Sequence, residues 1–105
     1  MTTPLTLDTT RGDDGRIVLI AEGEIDQSNI DAFSRALATA TAEAARDGET
    51  VTVDFSAVEY LDSSAINALY ASAEHIKLIA HPLLRRILTV SGITELTTIE
   101  LPPAT

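Results

Sequence analysis

The sequence predicts an α/β fold: a mixed, mostly parallel β-sheet packed against α-helices, in the order β-β-α-β-α-β-α-β. Three observations carry this expectation. Short β-branched apolar runs alternate with segments whose apolar residues recur every three to four positions, which implies βα units and parallel pairing. A Gly/Asp-rich turn separates the first two runs, so those two pair as a hairpin and make the sheet mixed. Finally, 105 residues with 45% apolar and only 4% aromatic content suit one modest aliphatic core, and residues 1–105 are read as a single domain.

The elements follow in order. Leu5 to Thr10 partly alternates and reads as a strand. Arg11-Gly12-Asp13-Asp14-Gly15 is a turn, and Arg16 to Ala21 is the second strand. Glu22-Gly23-Glu24-Ile25-Asp26 reads as a short extended stretch interrupted by its glycine. A helix follows, with Ser28 as the expected N-cap, Asp31 as a weak capping-box partner and a stripe of Ile30, Phe33, Leu37, Ala40 and Ala44. Arg46 falls in its last turn and Gly48 at the stop. Val51 to Phe55 is a β-branched strand, and 56–63 reads as a loop. The second helix begins near Asp62, with Ile66, Leu69, Tyr70 and Ala73 as its buried stripe. Ile76 to Ala80 is a strand, reached through Ala73-Glu74-His75 without Gly or Pro. Pro82 opens a third helix at N1, Leu84, Ile87 and Leu88 face inward, and Ser91-Gly92 ends it, with Ile93 folding back on Leu88. Thr97 to Leu101 is the last strand, stopped by Pro102-Pro103.

Composition narrows function. There is no cysteine, which excludes a disulfide framework, a thiol nucleophile and a zinc-thiolate centre. The net charge is −9, and the first 77 residues carry all of it, with 14 acids against 5 bases. Such a surface repels a phosphate backbone and an anionic membrane, so neither nucleic acid nor membrane is an expected partner. It would steer a basic protein surface instead, or serve only to keep the chain soluble. No apolar run approaches the roughly 18–20 residues of a membrane span, and Met1-Thr2-Thr3-Pro4 lacks the basic and apolar regions of a secretory leader. A cytoplasmic setting is the expectation.

One segment holds the candidate chemistry: Val53-Asp54-Phe55-Ser56-Ala57-Val58-Glu59-Tyr60-Leu61-Asp62-Ser63-Ser64-Ala65. With Asp62 as N-cap, Ser63 is N1 and Ser64 is N2, where free N–H groups and the helix dipole tolerate a phosphate. Taken alone, Asp-Ser-Ser before an apolar helix is an ordinary capping sequence. The other candidates are weaker. His75 and His81 are the only histidines, no Gly-x-Ser-x-Gly elbow exists, and the glycines form no phosphate cradle. His81 reads as a surface residue, Asp13-Asp14 and Arg85-Arg86 as solvated pairs, and Tyr60 and Tyr70 as core or rim packing.

In order, the block Val51–Leu69, the upstream Gly23-Glu24-Ile25-Asp26 and the downstream Pro82-Leu83-Leu84-Arg85-Arg86-Ile87-Leu88…Ser91-Gly92-Ile93 resemble a STAS domain of the bacterial anti-sigma factor antagonist family. The resemblance implies a protein-binding switch in transcription regulation and not an enzyme. Its partner would be an anti-sigma factor with ATP-dependent serine kinase activity, and a serine phosphatase would reset it. Ser64 matches the phosphorylated position; Asp26, Asp62, Ser63 and Ala65 match residues around it that meet the partner. No cofactor is implied. Two departures stand out: Ala65 replaces a glycine of the family pattern, and the second helix is short. Both favour the alternative of a STAS adaptor that is never phosphorylated, docked on a transport ATPase or in a sensory assembly.

Overall fold

The computed structural model describes residues 4–12 and 14–102; the readings that involve Met1–Thr3, Asp13 and Pro103 lie outside them. Five strands form one sheet in the order β1-β2-β3-β4-β5. β1 (Thr6–Arg11) pairs antiparallel with β2 (Ile17–Ile25), in register from Thr6↔Glu22 to Arg11↔Ile17. The turn between them closes through Gly12 N–H to Arg16 C=O (2.8 Å) and Gly15 N–H to Gly12 C=O (2.9 Å). β3 (Val51–Leu61), β4 (Ile76–Ala80) and β5 (Ile99–Glu100) each add in parallel. The expected fold class and element order hold.

The helices are α1 (Ile30–Arg46), α2 (Ser63–Ala71) and α3 (Pro82–Ser91). Strands β2 to β5 succeed one another in the same direction, so right-handed crossovers put all three helices on one face. Burial follows: along β2, Ile17, Leu19, Ala21 and Ile25 are buried while Val18 and Ile20 between them are only half-buried. The core fills the helix side, with Phe33 of α1 against Phe55 of β3, ring centroids 5.8 Å apart.

Several local expectations change. The glycine at 23 does not end β2. It takes φ +101° inside a continuous strand, and the register shifts on either side of it, with the extra residues bulging from β3 opposite. The residues after Phe55 are not a loop: β3 runs on to Leu61, because the long β2 continues to offer it partners up to Ile25↔Leu61. The helix after β2 is capped at Asn29, not Ser28, and without a side-chain cap bond. The Ser28 N–H and hydroxyl are instead taken by Asp26 Oδ1 (2.9 and 2.5 Å), a local turn that competes with capping. Phe33, Leu37, Ala40 and Ala44 are buried as expected, with Ile30 partly so. Ala73 is buried, but in the 3-10 turn Ala73–His75 that leads into β4, not in α2. Tyr70 is exposed, and its hydroxyl donates to the Ser91 carbonyl. Ile87 is 47% exposed: Leu84 and Leu88, one helical turn apart, centre the inward face of α3 and leave Ile87 on its flank. The last strand is only two residues long.

Gly48 follows the end of α1 with φ +68°. Its N–H donates to Ala45 C=O (3.1 Å), and Glu49 N–H reaches Ala44 C=O (2.9 Å). This left-handed stop needs a residue without Cβ. Gly48→Ala is expected to cost about 1 kcal/mol, a fall in thermal midpoint of roughly 4–8 °C by calorimetry. An unchanged midpoint would contradict the cap.

Candidate functional site

The site forms where β2 and β3 end side by side. The Asp62 N–H donates to the Ile25 carbonyl (3.1 Å), so the residues after each strand are held together. On the β2 side, Asp26 starts a tight turn whose carboxylate is satisfied by Ser28. Asn29 braces that turn: its Oδ1 accepts from Asp26 N–H and its Nδ2 donates to Glu24 C=O, both at 2.9 Å. On the β3 side, Asp62 is the N-cap of α2, as its position predicts, and its Oδ1 accepts the Ala65 N–H (3.1 Å). The same oxygen accepts the Ser64 hydroxyl at 2.5 Å.

Ser63 is exposed, and Ser64, Asp62 and Asp26 are half-buried. Ala65 differs. It is fully buried, its methyl in the core, so its side chain lines no surface and the partner-facing expectation for it is corrected. Buried in the core, the Ala65 methyl adds no bulk to the surface around Ser64.

Charge is one-sided here. Among the described residues the ion pairs join Arg11 to Glu43 and Asp47, Arg16 to Asp14, and Lys77 to Glu100; none neutralises Asp26, Glu59 or Asp62. The Asp62 carboxyl lies below its ordinary range, first because the Ser64 hydroxyl donates to it, against the opposing effect of burial, with backbone N–H groups of Ala65, Ser64 and Gln27 assisting. Gln27 belongs to the Asp26 turn, so both halves of the site favour the ionised form of this carboxylate. A pKa depressed on folding adds stability above the unfolded value, and that increment is lost as pH falls through the folded value. Asp62→Asn is therefore expected to lose less thermal stability than wild type when pH drops from about 5 to about 3. Parallel curves for the two proteins would show that Asp62 contributes nothing to acid stability.

The residue that sequence reasoning misplaced is His81. It caps α3, its Nδ1 accepting from Leu84 N–H (3.4 Å), and its Nε2 lies 2.7 Å from the Val58 carbonyl. A carbonyl only accepts, so Nε2 carries the proton. β4 pairs with β3 only as far as Phe55↔Ala80, and His81, the next residue, satisfies a β3 carbonyl just beyond that pairing. Its place directly before Pro82 is the sequence signal for the cap. With both ring nitrogens engaged, His81 is not placed to act on Ser64.

A mixed sheet with helices on one face thus presents a serine at the start of its middle helix, beside an acidic turn. The family model described as "Mlab, STAS domain" matches residues 9–99, and the chain belongs to that STAS family. Among solved structures, an anti-sigma factor antagonist from Mycobacterium paratuberculosis is similar at 25% identity and TM-score 0.82, over 92% of this chain and 86% of that one. The anti-sigma factor antagonist SpoIIAA in its unphosphorylated form shares the fold at TM-score 0.72 and 16% identity, covering 93% of this chain and 89% of its own. The phosphorylated form of the Bacillus cell fate determinant SpoIIAA shares it at TM-score 0.59 and 18% identity, over 93% and 92%. No curated protein matches the chain in sequence. No helix among the described residues is long and apolar enough to cross a membrane.

Proposed function

We propose that this domain is an anti-sigma factor antagonist. Unphosphorylated, it sequesters an anti-sigma factor that is also a serine kinase; phosphorylation of Ser64 releases that partner, and a serine phosphatase resets the cycle. The observation that carries the reading is the placement of Ser64: half-buried, at N2 of α2, on the rim where β2 and β3 end, within an uncompensated acidic patch. The similarity to an anti-sigma factor antagonist at 25% identity supports it. Ser63, beside Ser64, and Asp26, Asp62 and Ser64 itself are the residues that meet the partner. A phosphate adds about −1.5 to −2 charges next to Asp62, which takes part in no ion pair among the described residues.

A second reading is a STAS adaptor that is never phosphorylated, for instance on a transport ATPase. Its support is α2, only nine residues long, which narrows the surface beside Ser64. Mass spectrometry after incubation with ATP and the serine-kinase anti-sigma factor of the same genome separates the two. One phosphate on Ser64 is expected for the switch. No phosphate, with a stable complex to an ATPase subunit, gives the adaptor.

A further inference from the structure

We propose that the outer face of α3 docks an acidic amphipathic helix of a second protein, so that the domain carries two partner surfaces of opposite charge; the inference does not rest on the phosphorylation of Ser64. Leu84 and Leu88 hold α3 to the core. Leu83 and Val90, two helical turns apart and so nearly in line, face solvent at 78% and 83% exposure. Ile87, exposed on the flank of the helix, lies between them. Single exposed apolar side chains are ordinary, but a row over two turns of one helix is not scattered. The row borders a groove of about 450 Å³ between α3 and the chain leaving β5, with Pro82, Val90 and the exposed Leu101 as its apolar walls. Such a groove suits a second helix laid along it, with apolar anchors every three to four residues.

Charge selects the occupant. Arg85 and Arg86 line the same groove, and α3 contains no acid. Neither arginine takes part in an ion pair among the described residues. Residues 1–77 carry the whole net charge of −9, so α3 is where an acidic segment is attracted and not repelled. Arg85 also lines an adjoining cavity of about 400 Å³ with Thr89, Thr94, Thr97 and Thr98. A guanidinium only donates, so this cavity receives a carboxylate and rejects an ammonium. A second copy fits badly, since two chains of −9 repel, and the same charge opposes an anionic membrane. The residues around Ser64 follow β2 and β3, whereas this groove adjoins β5 at the far edge of the sheet. A basic partner drawn to the Ser64 rim and an acidic one held on α3 therefore share no contact residue, and the domain can join them.

The test uses the full chain and a fluorescein-labelled amphipathic peptide, with leucines at helical spacing and glutamates on both flanks. Binding is read by fluorescence anisotropy at about 0.15 M salt, and the contact is mapped by amide NMR shifts. Wild type is expected to bind the peptide, with shifts centred on α3 and residues 99–101. The double variant Arg85→Glu/Arg86→Glu is expected to bind at least about tenfold more weakly. Arg35→Glu/Arg46→Glu makes the same charge change on α1 and is expected to stay within about threefold of wild type. Leu83→Ser/Val90→Ser, on exposed positions, is expected to weaken binding by about tenfold with the charge unchanged. Absence of binding by wild type up to about 1 mM peptide overturns the proposal. So do equal losses in the α3 and α1 charge reversals, or shifts centred on the start of α2. Self-association in sedimentation that Leu83→Ser/Val90→Ser abolishes would give the face to a second copy instead. Co-flotation of wild type with phosphatidylglycerol vesicles, lost in Arg85→Glu/Arg86→Glu, would give it to a membrane.

Discussion

Ser64→Asp is expected to bind the anti-sigma factor kinase about two to three decades more weakly than wild type, and Ser64→Ala to stay bound in the presence of ATP. The size follows from placing an unpaired charge in an interface, about 3–5 kcal/mol. The site offers that charge no relief, because Asp62 Oδ1 sits at hydrogen-bond distance from the Ser64 side chain and no described ion pair involves the neighbouring acids. In Ser64→Asp the hydroxyl donor is also lost, and two carboxylates face one another across the first turn of α2. Calorimetric titration of wild type and both variants reads the difference directly. Equal affinities for wild type and Ser64→Asp would end the switch reading.

Phe55→Ala is expected to remove about 3–5 kcal/mol of stability, a large part of what a domain of this size holds. Phe55 is fully buried in the strand that carries the site, and its ring meets Phe33 at 5.8 Å. With only two phenylalanines in the chain and a core otherwise of Leu, Ile, Val and Ala, no large side chain is available to refill the space. The thermal midpoint should fall by more than about 15 °C. Tyr60→Ala, on a side chain 48% exposed, should move it by only a few degrees. A drop below about 5 °C for Phe55→Ala would mean that the inner layer of the sheet repacks freely.

What could be read from the residues alone depended on whether the signal was local. The stripe of α1, the N-cap at Asp62, Pro82 at the start of α3 and Gly48 at a helix stop are set by neighbours within a turn, and all were legible. The extension of β3 to Leu61 was not, since it depends on β2 continuing through Gly23 beside it. Ser28 satisfied every local rule for a cap, yet Asp26 claimed it first. Tyr70 and Ile87 fit a helical period but lie on the flanks of their helices, and only packing decides which flank is covered. At the site, the order Asp62-Ser63-Ser64 was plain; that Ala65 turns its methyl inward and that the Asp62 N–H bonds to the Ile25 carbonyl required the two strand ends to be seen together.

The unbroken succession from β2 to β5 has one more consequence. Open α/β sheets usually take small molecules into the crevice that opens where the strand sequence reverses and helices part to opposite sides. Here no reversal occurs, and the fold lacks that built-in hollow. The turns and helix beginnings at the strand ends, where Ser64 lies, can be redrawn residue by residue while the interior stays as it is. The surface at those ends can therefore change its chemistry without refolding the domain that carries it.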